Sequence, residues 1–288
     1  MKSRRQFIRI AGAGILAAGV TPLAAAETLG RSGNDAGEEK FSLGIAGYSF
    51  REFTAEQTIA MMNRIGVSNL SLKDFHMPMD SSREVIQSTL AKFREGGINV
   101  YTVGVVYMRT DGSVDQAFDY AAMAGMDMMV CAPNYELLPY VEEKVKKYNI
   151  RLAIHNHGPD NTLYPNATDI WEHVKDLDNR IGICIDIGHT TRDGENPSVD
   201  IEKYASRIYD VHIKDVDKPS KEGKTVESGR GVIDIPAVVA SLRKIGYAGK
   251  CSLEFEKDMK DPLAGLAESI GYWKGVLEGS RREALKKA

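Results

Sequence analysis

Short β-type runs alternate with longer helix-like stretches eight times between residues 41 and 277, and no other feature of the chain restricts its fold as much. Strands are predicted over 41–46, 67–72, 99–106, 127–132, 150–155, 181–187, 208–213 and 250–255. Helices are predicted over 55–65, 83–95, 114–124, 135–148, 169–177, 201–206, 236–245 and 263–277. Several helices end in glycine just before the next strand, at Gly66, Gly96-Gly97, Gly125 and Gly246, as expected of αβ turns. Eight β-then-α units on about 250 residues predict a closed, parallel (β/α)8 TIM barrel as a single α/β domain over 40–288. An open doubly wound sheet is the second option. Its Gly-x-Gly-x-x-Gly fingerprint is absent after the first run, where the chain reads Gly44-Ile45-Ala46-Gly47.

The first 26 residues do not follow this rhythm. A basic start with paired Arg4-Arg5 leads into Phe7-Ile8, an apolar run from Ile10 to Val20, and small residues Ala24-Ala25-Ala26. That is the layout of a twin-arginine-type signal peptide cleaved before Glu27, which predicts a periplasmic or otherwise exported protein. A membrane anchor is the alternative, but the run is shorter than the roughly 20 apolar residues of a span. Residues 27–39 are polar and read as a flexible lead-in. Losing 1–26 removes Lys2, Arg4, Arg5 and Arg9 and no acid, so the formal charge moves from −3 to −7. An acidic mature chain argues against nucleic acid as a partner. Cys131, Cys184 and Cys251 sit in apolar runs and are expected as buried thiols rather than a disulfide framework.

Barrel enzymes carry their chemistry at the C-terminal ends of the strands. Here those ends hold Lys73 and His76, His155 and His157, Asp186 and His189, His212 and Lys214, and Glu254 and Glu256. Five of the six histidines lie there, all but His173. Imidazoles and carboxylates converging from several strands are the ligand set of a divalent cation, Mn, Co, Zn or Mg. Strand alternation puts His155 with His157, Glu254 with Glu256 and His212 with Lys214, and Asp215 on the opposite face if the strand continues. The inward set is then His155, Asp186, His212 and Glu254.

Plainer readings stand beside these. His157 alone could be a hydrogen-bonded core group, and Asp186 could cap the following helix. Lys73 and Lys214 could pair with Asp74 and Asp215. Tyr107, Tyr164, Trp171 and Trp273 are expected to be packing residues. Glu254 is harder to explain structurally, because a carboxylate in an apolar strand needs a partner. The loop 216–231, rich in Lys, Gly, Ser and Glu, is either a lid or solvated chain.

Three segments, Ile183-Cys184-Ile185-Asp186-Ile187-Gly188-His189, Asp210-Val211-His212-Ile213-Lys214-Asp215 and Ser252-Leu253-Glu254, resemble the sugar phosphate isomerase/epimerase family of xylose-isomerase-like barrels. The resemblance extends over about residues 41–278. It implies one divalent metal ion held by Asp186, His212 and Glu254, with His189 facing substrate. The family's strand-five Glu is replaced by His155 within Ile154-His155-Asn156-His157, a variant that resembles an exported or dehydratase-like branch. His155 is then the expected fourth metal ligand.

The resemblance further implies proton abstraction next to a carbonyl of a sugar or keto-sugar; beside it, the polar residues at the strand ends are read as catalytic (Glu254, His157, Lys73 and Lys214) and substrate-binding (His189, His76 and Glu256). Export favours a non-phosphorylated substrate. With one family glutamate missing, the alternative is a lyase or dehydratase eliminating from a 3-keto-glycoside or inosose. Other classes compatible with the sequence are a sugar-binding barrel without catalysis, an endonuclease-IV-like enzyme, which the acidic charge opposes, and a two-carboxylate hydrolase using Asp186 and Glu254.

Overall fold

The computed structural model describes residues 39–287, so the expected signal peptide and nearly all of the lead-in lie outside the described residues. The barrel strands are β1 (Ser42–Ala46), β2 (Asn69–Leu72), β3 (Asn99–Met108), β4 (Met128–Pro133), β5 (Arg151–His155), β6 (Ile181–Asp186), β7 (Ile208–Ile213) and β10 (Lys250–Leu253). Every pairing among them is parallel, and β1 pairs with both β2 and β10. That pairing closes the barrel and removes the open-sheet option.

The helices are α1 (Ala55–Ile65), α2 (Arg83–Glu95), α3 (Asp111–Ala124), α4 (Leu138–Tyr148), α5 (Ala167–Val174), α6 (Ile187–Arg192), α7 (Pro197–Lys203), α8 (Ile235–Lys244) and α9 (Leu263–Lys287). Local chemistry sets their ends. Thr54 caps α1 in a reciprocal box with Gln57, and Thr110 does the same for α3 with Ser113. Both helices stop at a glycine in the left-handed region, Gly66 at φ 66° and Gly125 at φ 69°, where a Cβ would be strained. The one helix that pattern reading missed is α6. It is six residues long, too short to show a period, and it starts directly from the end of β6.

Helices outside and side chains inside bury β4 and β6 along their whole length, which is why these strands read as continuous apolar runs. The three cysteines are buried and unpaired, as expected. Glu39 already pairs with Arg243 of α8. No helix among the described residues is long and apolar enough to cross a membrane.

The loop after β7 is not loose chain. Short strands β8 (Asp215–Val216) and β9 (Thr225–Val226) pair antiparallel. The buried Asp215 carboxylate accepts backbone N–H groups from Val216, Gly229, Gly231 and Ile233 at 2.9, 2.8, 3.0 and 3.3 Å. Both ends of the segment are therefore pinned, and Asp215 is occupied there rather than with Lys214.

Candidate metal centre and active site

Register aligns the site. Asp186 pairs with His212, and His155 pairs with Cys184 two residues before Asp186. Glu254 extends the β10 ladder by donating its N–H to the Ile213 carbonyl at 2.9 Å. Neighbouring strand ends thus deliver His155, Asp186, His212 and Glu254 to one point, with candidate ligand atoms all within 4.8 Å of one another.

The close approaches are His155 Nε2 to His212 Nδ1 at 3.0 Å, to Asp186 Oδ2 at 3.7 Å and to Glu254 Oε2 at 3.9 Å, and His212 Nδ1 to Glu254 Oε2 at 3.7 Å. A tetrahedral ion with ligand bonds of about 2.1 Å needs ligand atoms roughly 3.4 Å apart. The four residues fit that spacing. All four are buried, and the atoms that converge are His155 Nε2, Asp186 Oδ2, His212 Nδ1 and a Glu254 oxygen, with Lys214 Nζ 3.3 Å from Asp186 Oδ2. Two imidazole nitrogens and two carboxylate oxygens brought this close in a buried space are a donor set that fits a divalent cation. Cys184 is also within reach of the two histidines, but burial keeps its thiol protonated, far above the usual range.

Each wall has a local cause. Asn156 points away from His155 and His157. It accepts the Asp186 N–H at 2.8 Å and donates to the Asp186 carbonyl and to Thr190. Asp186 does two jobs. Its Oδ1 accepts the His189 N–H at 2.7 Å and caps α6, while Oδ2 faces the cluster. A Cβ on Gly188 would lie 2.7 Å from the Lys214 stem. Glycine there lets the lysine reach inward.

Lys214 is fully buried. Its ammonium lies 2.7 Å from Glu256 Oε2, 2.9 Å from Glu254 Oε2, 3.2 Å from His189 Nε2 and 3.3 Å from Asp186 Oδ2. Three carboxylates face one ammonium, leaving a formal excess of negative charge for a further cation. Burial alone would raise the Asp186 and Glu254 carboxyls, but Lys214 and the adjacent histidines hold both well below the usual carboxylate range. Burial would likewise lower Lys214, yet Asp186, Glu254 and Glu256 keep its ammonium well above the usual value. Burial, with His155 and Lys214 nearby, pushes His157 down to about 3. Burial and Lys214 also keep His189 neutral.

The other expected residues separate. His157 approaches His155 and receives Tyr107, whose hydroxyl is 3.1 Å from His157 Nε2. Lys73 bonds the Val105 carbonyl at 2.8 Å and Asp74 at 3.0 Å, and lies 5.7 Å from the Tyr107 ring, so it borders the site through that ring. His76 is not brought to the cluster. Its Nε2 is held by the Phe53 carbonyl at 3.0 Å and Thr58 at 3.2 Å, and its ring packs on Phe93. Its ring is thus tied to β1–α1 loop and α1 atoms rather than turned to the cluster, a direction that a loop histidine does not reveal in sequence.

Tyr164 and Trp273 are buried as expected and Trp171 packs on Tyr204. Tyr107 departs from the expectation: it is exposed and joined to His157. Arg192 was also missed. Its guanidinium is 3.3 Å from His189 Nδ1, and its position in the short α6 hid it. Outside the cluster a cleft of about 530 Å³ is lined by His189, Arg192, Lys214, Asp217, Lys224 and Glu256, among others.

Comparison with known proteins agrees with this architecture. A 30% identical stretch of 127 residues matches the inosose dehydratase of Klebsiella pneumoniae, covering 38% of this chain and 42% of that one. The chain spans less than half the length of the curated relatives it matches. The structure of 3-keto-D-glucoside 4-epimerase from E. coli aligns with a TM-score of 0.66 at 15% identity, over 83% of this chain and all of that one. The IOLI protein, solved with a zinc atom, aligns with a TM-score of 0.69 at 15% identity, over 82% and 98% of the two chains. These neighbours share the fold, and those with named activities include epimerases and dehydratases. The model of the xylose isomerase-like TIM barrel matches residues 112–276, more than half the chain, and this protein belongs to that family.

Proposed function

We propose that this chain is a divalent-metal-dependent sugar isomerase/epimerase-like enzyme that removes a proton next to a carbonyl of a non-phosphorylated sugar or keto-sugar. The observation that carries the reading is the buried convergence of His155, Asp186, His212 and Glu254, whose candidate ligand atoms lie within 4.8 Å of one another. A bound divalent ion, Mn, Co or Zn in preference to Mg because two donors are imidazoles, supplies charge that polarises a carbonyl and steadies the anion formed on proton loss.

The protein's own groups do the rest. Glu254 stays ionised beside Lys214 and serves as base. Lys214 fixes Glu254 and Glu256 and presents a donor to a substrate oxygen. His157 remains neutral across physiological pH and, tied to Tyr107, holds or passes a proton. His189, Glu256 and Arg192 line the route from the cleft. Export through the first 26 residues belongs to the same proposal and favours a free sugar over a sugar phosphate.

A second reading, elimination from a 3-keto-glycoside or inosose, is favoured by His155 standing where the family has a glutamate and by the inosose dehydratase relative. One experiment tests both. The mature protein is incubated with free sugars, inosose and 3-keto-glycosides in D2O, with EDTA or with added Mn2+. Metal-dependent deuterium uptake without other mass change supports the isomerase/epimerase reading, and metal-dependent loss of water or an aglycone supports the lyase. Absence of exchange, turnover and metal effect across the panel sinks both.

A further inference from the structure

His212 uses only one of its ring nitrogens in the cluster. Nδ1 faces His155 Nε2 at 3.0 Å and Glu254 Oε2 at 3.7 Å. Nε2 points the other way, is buried, and has no hydrogen-bond partner. A carboxylate oxygen, Asp210 Oδ2, stands 4.0 Å from it.

Asp210 occupies that place by strand geometry. Alternate residues of β7 share a face, so Asp210 lies one layer below His212 inside the barrel. Its carboxylate is completely buried. The Tyr101 hydroxyl reaches it at 2.9 and 3.2 Å and is itself 2.7 Å from Ser252. Among the described residues no lysine or arginine ion-pairs with Asp210. A buried carboxylate held by the Tyr101 hydroxyl and the Val211 N–H retains acceptor capacity, and the unpartnered ring nitrogen beside it is the complementary donor.

An imidazole binds a cation through a bare nitrogen, so ligation by Nδ1 requires the proton on Nε2. We infer that Asp210 is a positioning residue for the metal centre: it holds the proton of His212 on Nε2 and thereby turns the Nδ1 lone pair toward His155, Asp186 and Glu254. A shift of about 1 Å in ring or carboxylate closes the present separation to hydrogen-bond length. Tyr101, itself bonded to Ser252, fixes the carboxylate. This inference rests on the metal reading of the cluster.

The test uses the full chain with 15N-labelled histidine. Long-range proton–nitrogen correlations of the metal-free protein report the tautomer of His212, whose signals are identified by their loss in His212→Gln. The wild type is expected to carry the proton on Nε2. In Asp210→Asn the Tyr101 hydroxyl holds the amide oxygen and the NH2 turns to Nε2. The proton then moves to Nδ1, and Zn2+ or Co2+ affinity, measured by competition with a chromophoric chelator, falls about 10–100-fold. A wild-type His212 protonated on Nδ1 overturns the inference, as does an Asp210→Asn chain with unchanged tautomer and affinity. If Asp210→Asn does not fold, the wild-type tautomer decides alone. A wild type that binds neither metal overturns the reading of the cluster, while the metal-free tautomer still decides the Asp210–His212 contact.

Discussion

Lys214 Nζ lies 2.9 Å from Glu254 Oε2, the same oxygen that faces His155 at 3.9 Å and His212 at 3.7 Å. The lysine therefore shares a carboxylate with the candidate metal position, and its charge opposes that of an incoming cation. Two unit charges about 4 Å apart interact by roughly 4 kcal/mol at an effective dielectric of 20, and a fraction of that changes affinity tenfold. Lys214→Met is expected to bind Mn2+ or Zn2+ at least ten times more tightly while losing turnover. Without metal, the buried carboxylates lose their partner, so its melting temperature falls by roughly 10 °C and recovers on metal addition. Calorimetric titration and thermal melts with and without EDTA check this. Equal or weaker metal binding contradicts the shared position.

His155 stands where the family resemblance calls for a glutamate, so the cluster holds two imidazoles and two carboxylates. Imidazole favours zinc and carboxylate favours manganese and magnesium. His155→Glu is expected to shift the Zn2+/Mn2+ affinity ratio toward manganese by about tenfold or more. Glu254→Gln, by contrast, removes a ligand and the proposed base together, and deuterium exchange into substrate drops by about 10²–10⁴-fold. Competition titrations and exchange rates separate the two effects. An unchanged metal ratio in His155→Glu removes His155 from the ligand set.

How much of this was legible without coordinates follows from the kind of signal each residue carries. The eight strands were found because fully buried parallel strands read as apolar runs bounded by helix ends, and β7 was found to the residue. His155, Asp186, His212 and Glu254 were found because alternation along a strand fixes direction. The direction of His76 was not legible, because it lies in a loop, where no period says which way a side chain turns. Tyr107 reads as packing in the sequence, since an aromatic residue at a strand end looks the same whether it faces core or cleft. Asp210 looked like part of a strand, and only the register of the barrel layers brings it beneath His212.

The Tyr107 hydroxyl at 3.1 Å from His157 Nε2 sets the orientation of that imidazole, while Lys73 and Arg109 lie 5.7 and 5.5 Å from the Tyr107 ring. Tyr107→Phe keeps the ring and removes the hydrogen bond. Loss of one such bond is worth about 1 kcal/mol, so kcat is expected to fall about fivefold with little change in metal affinity. Steady-state kinetics with a substrate from the sugar panel, alongside metal titration, provides the check. A matching loss of metal affinity instead assigns Tyr107 to the scaffold of the cluster.

Asp200 offers a prediction away from the site. It is buried in the first turn of α7, its Oδ2 lacks a partner, and burial together with Glu195 raises its carboxyl to about 6 from an ordinary 3.8. Between those pH values the folded chain holds more protons than the unfolded one, so this group's contribution is full below about 3.8 and is lost as pH rises through about 6. Asp200→Asn removes the titration. It is expected to stabilise the metal-free protein by about 1 kcal/mol at pH 8, after discounting for solvent screening, and by nearly nothing at pH 4. Urea unfolding of both proteins in EDTA at the two pH values measures the difference. A gain that is equal at both pH values assigns the effect to packing rather than to the buried charge.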